Sequence, residues 1–239
     1  MSPKVIFLLT TILSLHIVLS QNITANVYYS KPTGKYSLVE GPLDPEAAAT
    51  VTYSKSYKTI GWDFLAISSY TGDDNKYPDH IKAYAMGYAE GILTYESIYL
   101  FYITMVPYKY WDNNNQMTTT AKKYLAENLE YMKYTSAEKK DTDPYWSHVH
   151  SIYMQMSGMI DGYNSIVEPS KRISYIDFQL MNAMNDVDEL DYWNNLQARP
   201  NYSKMTTEEL LTFIHEHTHC SSLIKVAPDC SDMWFGHNT

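Results

Sequence analysis

Cysteine is scarce in this chain: two residues in 239, Cys220 and Cys230. At most one intramolecular bridge can form, which excludes a disulfide-stapled scaffold. Basic runs are also missing. Lysine and arginine never gather beyond pairs such as Lys122-Lys123, Lys139-Lys140 and Lys171-Arg172, and the formal net charge is -9. A nucleic-acid partner is therefore not expected, because nothing on the chain matches a dense line of phosphates. No apolar run after the first twenty residues is long enough to cross a bilayer, so no integral membrane span is expected. No internal repeat or low-complexity tract is found, and no glutamate follows Glu216.

The chain does have a targeting segment at its start. Lys4 supplies the positive charge, Val5 to Leu19 an apolar stretch, and Val18-Leu19-Ser20 residues small enough to precede a cut. Residues 1–20 read as a signal peptide cleaved near Ser20. Two acceptor triplets, Asn22-Ile23-Thr24 and Asn201-Tyr202-Ser203, fit passage through a secretory pathway and make Asn22 and Asn201 the expected glycosylation sites. In an oxidising compartment the default for two cysteines is a Cys220–Cys230 disulfide; the alternative is that Cys220 stays free because its thiol is needed. Tyrosine is abundant, with 23 residues. Amphipathic packing at half-buried positions accounts for that better than an aromatic ligand cage.

Periodicity divides the chain. Val27-Tyr28-Tyr29 and Tyr36 to Val39 flank the turn-forming Lys31-Pro32-Thr33-Gly34 and predict a hairpin, with further strands over Ala49 to Ser56 and Trp62 to Tyr70. Gly72 to Asn75 is a loop. From Asp79 the apolar spacing becomes helical, running through Tyr99 towards Met105 and stopping before Pro107. A second helix is expected around Ala121 to Met132, and a third, opened near Asp143-Pro144, over Val149 to Tyr163. A fourth runs from Ile176 through Met184 towards Leu190. The methionines of these helices read as core filler. Thr206 and Glu209 form a capping box for a last helix, after which Ser221 to Val226, the turn Pro228-Asp229 and Met233 to Phe235 predict two strands.

That last helix ends in Phe213-Ile214-His215-Glu216-His217-Thr218-His219-Cys220, which admits two readings. His215, Glu216 and His219 spell H-E-x-x-H, the spacing that puts two imidazoles and a glutamate base on one helix face around zinc. The helix would have to continue past His219, but Cys220-Ser221-Ser222 passes straight into a strand pattern. A third ligand is wanting too, with only Asp229, Asp232 or His237 to be drafted. A zinc metalloprotease is the weaker reading, and no metal or cofactor is expected. In the other reading Cys220 is a nucleophile. A thiol followed by a small residue and a strand is the layout of an N-terminal nucleophile hydrolase, in which the chain cuts itself before the cysteine and the freed α-amino group serves the thiol as base.

The run His219 to Thr239, "HCSSLIKVAPDCSDMWFGHNT", resembles the self-processing segment of the phospholipase B-like proteins. Ala83 to Thr94 ("AYAMGYAEGILT"), Gly158 to Val167 ("GMIDGYNSIV") and Ile173 to Leu190 ("ISYIDFQLMNAMNDVDEL") are similar to the same family, in the same order. The resemblance implies a secreted or lysosomal glycoprotein with an αββα core, acting as an acyl-hydrolase on phospholipids. It implies Cys220 as the nucleophile created by cleavage after His219, and His237, in Gly236-His237-Asn238-Thr239, as the group that binds the substrate carbonyl or orients the thiol. Cys230 has no counterpart in the family motif. Family members are considerably longer than this chain.

The resulting expectation is an α+β chain: the N-terminal, largely helical portion of an αββα N-terminal nucleophile hydrolase fold, truncated, with strands near the start and after Cys220. Residues 1–20 are the signal peptide, 21–219 the N-terminal α+β portion, and 220–239 the incomplete start of the catalytic core. The expected partners are a phospholipid or other acyl substrate and the protein's own C-terminal catalytic fragment. The alternative is a non-catalytic secreted glycoprotein that retains the family's N-terminal half.

Overall fold

The structure is a computed structural model that describes residues 21–238 apart from 74–75, 111–118, 184–185, 187–189, 191–195, 198 and 218–220. The signal-peptide segment lies outside the described residues. So do Asp74 and Asn75 of the expected loop and Met184 of the expected fourth helix. The chain divides into two compact units, Met1–Asp188 and Glu189–Thr239.

In the first unit, β1 (Gln21–Ser30), β2 (Lys35–Glu40), β3 (Ala49–Lys55) and β4 (Phe64–Ser69) form an antiparallel sheet in the order β2-β1-β3-β4. The predicted hairpin closes through Gly34, whose φ of +66° suits a residue without a Cβ. Alternation sets the core face. Ala25 and Val27 of β1 and Ala49 and Val51 of β3 are essentially fully buried. Asn26 is also buried, and both ends of its amide are used: Nδ2 donates to the Pro42 carbonyl at 2.8 Å, and Oδ1 accepts from the Asp44 amide at 2.7 Å. Between β3 and β4 lies a short helix the sequence did not announce, α1 (Tyr57–Ile60). Asp63, downstream of it, holds its start by accepting from the Ser56 and Tyr57 amides at 2.7 and 2.8 Å.

The expected long helix from Asp79 is two helices, α2 (Asp79–Leu93) and α3 (Tyr95–Tyr110). They part at Thr94, whose amide and hydroxyl both bond the Glu90 carbonyl, at 2.9 and 2.7 Å. Such back-bonding by a threonine side chain bends a helix. Pro107 does not stop α3, as had been expected. A proline inside a helix forfeits one amide bond, and here the fully buried Val106 secures that turn by packing. Next come α4 (Thr119–Lys139), α5 (Pro144–Ile166) and α6 (Tyr175–Asn182). Asp143 caps α5 by accepting from the Tyr145 amide at 2.9 Å, with Pro144 in the first turn as the sequence predicts. Ser174 caps α6, accepting from the Asp177 amide at 3.2 Å.

Helix α2 packs on the sheet through Ile81, Ala85 and Ala89 and on α5 through glycines. A Cβ on Gly87 or Gly91 would lie 1.9 Å from the Gln155 carbonyl oxygen or 2.1 Å from that of Met159. On Gly158 or Gly162 it would lie 2.1 Å from the Tyr84 oxygen or 2.4 Å from that of Tyr88. The two backbones touch. The Tyr84 hydroxyl donates to the Asp161 carboxylate across this contact. Tyr29, Tyr36, Tyr84 and Tyr88 stack where the hairpin meets α2, with 4.2 Å between the Tyr36 and Tyr84 centroids. These tyrosines pack, as the sequence reading has it. In the last turn of α5, Asn164 clasps the Ile173 backbone reciprocally, at 2.9 and 3.1 Å.

In the second unit α7 (Thr207–His217) precedes β5 (Ser221–Val226) and β6 (Met233–Asn238), which pair antiparallel. The capping box is present. The Thr206 amide and hydroxyl donate to Glu209 Oε2 at 2.8 and 2.9 Å, and the Glu209 amide donates to Thr206 Oγ1 at 3.2 Å.

Candidate functional site

The candidate site is the junction between α7 and the β5–β6 hairpin. Helix α7 ends at His217 and β5 begins at Ser221, so the change from helix to strand falls across residues 218–220. His219 and Cys220 lie outside the described residues. Ser221, the first described residue after them, pairs with Asn238. The next rung pairs Ser222 with His237, so the hairpin brings His237 back to the end of β5 that adjoins Cys220. The His237 side chain is exposed.

The turn between the strands is fixed by its own hydrogen bonds. The Ala227 amide donates to the Asp232 carbonyl at 2.9 Å and the Cys230 amide to the Ala227 carbonyl at 2.8 Å. Asp229 Oδ1 accepts from the Ser231 hydroxyl at 2.7 Å and amide at 3.2 Å, and these bonds hold its carboxyl below the usual carboxylate range. Cys230 sits at φ 58° with an exposed free thiol.

The ribbon is amphipathic on neither face. Ile224 pairs with Phe235 and Val226 with Met233 on one side, while Leu223 and Trp234 lie on the other, and all six are at least half exposed. Apolar side chains on a two-stranded ribbon with open edges call for further covering structure.

His215 and Glu216, from the zinc-like motif, are exposed on the last turn of α7. Among the described residues no group of three or more His, Cys, Asp or Glu side chains is placed to hold a metal ion. Asn22 lies exposed on β1, and Asn201 lies exposed before a short 3-10 turn, its Oδ1 accepting from the Ser203 hydroxyl at 2.8 Å.

Sequence reasoning missed a second concave feature, in the first unit. A cavity of about 820 Å³ opens among α3, α4, α5 and α6. Met132, Met156, Met159 and Met181 line it, over a nearly inaccessible Phe178. Met156, Met159 and Met181 also pack against the core cluster around Tyr163, so the core-filler reading accounts for part of what they do. Helical spacing alone does not separate a methionine that fills a core from one that lines a void.

The described residues thus define a mixed α+β protein in which a helix ends at His217 and a strand begins at Ser221. The family model described as Phospholipase B matches residues 49–239, and the chain belongs to the phospholipase B family. It is 31% identical over 97% of its length to phospholipase B-like protein A of Dictyostelium discoideum, covering 41% of that relative. It is 29% identical over 90% of its length to phospholipase B-like protein B of the same organism, covering 36%. To phospholipase B-like 1 of Bos taurus it is 28% identical over 99% of its length, covering 42%. The chain therefore spans about two fifths of the relatives it matches. Among the described residues no helix is long and apolar enough to cross a membrane.

Proposed function

We propose that this chain is the N-terminal portion of a phospholipase B-like acyl-hydrolase of the N-terminal nucleophile type, with Cys220 as nucleophile. One observation carries the reading: the Phospholipase B match takes in both the helix-to-strand junction at Cys220 and the returning strand with His237. Maturation begins when the Cys220 thiolate attacks the His219 carbonyl carbon. The His219–Cys220 C–N bond breaks as the acyl group passes from nitrogen to sulfur. Water then hydrolyses the thioester, leaving a carboxylate on His219 and a free thiol and α-amino group on Cys220.

In turnover that amine, whose ordinary pKa is about 7.7–8.0, takes the thiol proton. The thiolate attacks a fatty-acyl ester carbonyl, the alcohol leaves with a proton, and water releases the fatty acid. None of these steps requires a metal. His237, on the rung beside Ser222, orients the thiol or holds the substrate carbonyl. The apolar faces of β5 and β6 are covered by the protein's C-terminal catalytic fragment, completing an αββα core. Exposure of Asn22 and Asn201 supports glycosylation of a secreted or lysosomal protein.

The test is N-terminal sequencing of protein made by secretion from the full-length gene. A product beginning Cys-Ser-Ser-Leu is expected from the parent and none from Cys220→Ala. Cutting of the Cys220→Ala protein at the same bond would overturn the nucleophile. A parent left uncut would replace the enzyme with a non-catalytic glycoprotein.

A further inference from the structure

We propose that the cavity among α3, α4, α5 and α6 binds a single acyl chain carrying an uncharged, hydrogen-bonding head, as in a monoacylglycerol. Its volume of about 820 Å³ falls within the roughly 300–1,000 Å³ of small-molecule pockets. Ile98, Val149, Phe178 and the four methionines form its apolar wall. Thioether side chains are unbranched and polarizable, so they mould to a flexible chain without demanding one shape. At the rim, Phe101 and Ile152 are 47% and 64% exposed, an apolar mouth through which a chain can enter.

The polar part of the lining identifies the head. Among the described residues it consists of Ser97, Gln155, Gln179 and Asn182, with the Tyr153 ring, and contains no lysine, arginine, histidine, aspartate or glutamate. Asn182 Nδ2 already donates to the Phe178 carbonyl at 3.0 Å. The half-buried amides of Gln155 and Gln179 have no side-chain hydrogen bond among the described residues, so each offers a donor and an acceptor inside an apolar wall. Lys133, on α4 with Met132, is turned over the Tyr175 ring, 4.3 Å from its centroid, and is not among the described residues of the wall. A carboxylate or phosphate in the cavity would be desolvated with no counter-charge, a heavy penalty. Hydroxyls and an ester carbonyl would instead meet the free amides. The charge pattern selects a neutral head on an apolar tail.

Binding to this cavity needs no hydrolysis, so its test is independent of the nucleophile reading. The intact chain is titrated by calorimetry with 1-decanoylglycerol and, separately, with decanoate. Saturable one-to-one binding of the glyceride is expected, about tenfold or more tighter than that of decanoate. Met156→Trp, which fills the cavity, should weaken glyceride binding about tenfold or more with unchanged helical circular dichroism. Should that variant misfold, Ile152→Trp at the rim is the substitute, with the same expectation. Gln155→Leu with Gln179→Leu should abolish the preference for glyceride over decanoate. Absence of saturable glyceride binding, equal affinity for decanoate, or full affinity in the filled variants would each overturn the proposal.

Discussion

At the scale of single residues, the most exacting positions are glycines whose place is taken by a neighbouring backbone. A methyl group on Gly158 would sit 2.1 Å from the Tyr84 carbonyl oxygen, and neither helix can retreat without disturbing the sheet behind α2 or α4 behind α5. Gly158→Ala should destabilise the first unit by about 2–3 kcal/mol, the upper part of the range for overpacking, read from urea unfolding. Gly236→Ala, on β6 with nothing within 4 Å of the added carbon, should change stability by less than about 0.5 kcal/mol. His80 and His150 make a pH-dependent pair, with ring centroids 5.9 Å apart. Burial first holds both imidazoles below their ordinary 6.5, followed by Lys140 at His80 and by His80 and then Lys140 at His150; Asp141 opposes this at both, and Asp79 at His80. A histidine with a lowered folded pKa lends stability that is complete above 6.5 and is lost as pH falls through the folded value. The urea midpoint should therefore drop between about pH 7.5 and pH 5, and drop less in His150→Gln.

At the scale of elements, the capping box gives α7 its defined start. Thr206→Ala removes an acceptor for the Glu209 amide and a donor to its carboxylate, and should cost about 1 kcal/mol. Amide exchange in the first turn of α7 should quicken about fivefold. The hairpin turn carries a cost of the opposite kind, since Cys230 occupies a left-handed conformation that suits glycine. Cys230→Gly should gain up to about 1 kcal/mol, seen as slower exchange of the β5 and β6 amides. Most elements were legible because burial imposes a period. Ala25, Val27, Ala49 and Val51 alternate, and Asp143-Pro144 and Thr206-x-x-Glu209 mark helix starts by their own chemistry. The break at Thr94 was hidden because the apolar spacing runs on across it. The cap of α1 was hidden because Asp63 comes after the helix it begins, where a local pattern is not sought.

At the scale of the whole molecule, two of the stretches that carry the family resemblance are the two sides of one contact. Ala83 to Thr94 holds Gly87 and Gly91, and Gly158 to Val167 holds Gly158 and Gly162. A reader of sequence sees four glycines in two helical patterns. Their meaning is supplied only by the second helix, which is why the resemblance could be noticed before its cause. The hairpin end of the candidate site was legible from strand parity, whereas the helical cavity was not, because its lining comes from four helices and no one segment shows it.

The contact between α2 and α5 also bears on how the chain reaches this structure. Tyr84 and Asp161 are 77 positions apart, so joining the two helices closes a long loop and gathers α3 and α4 in the same event. Loop closure is opposed by entropy until the contact that rewards it is made, and here that reward arrives only when two backbones touch at glycine. The rate of folding, and not the final stability alone, is therefore set at this meeting point. Stopped-flow refolding of Gly158→Ala should show the folding limb slowed, where a defect confined to the finished protein would appear as faster unfolding.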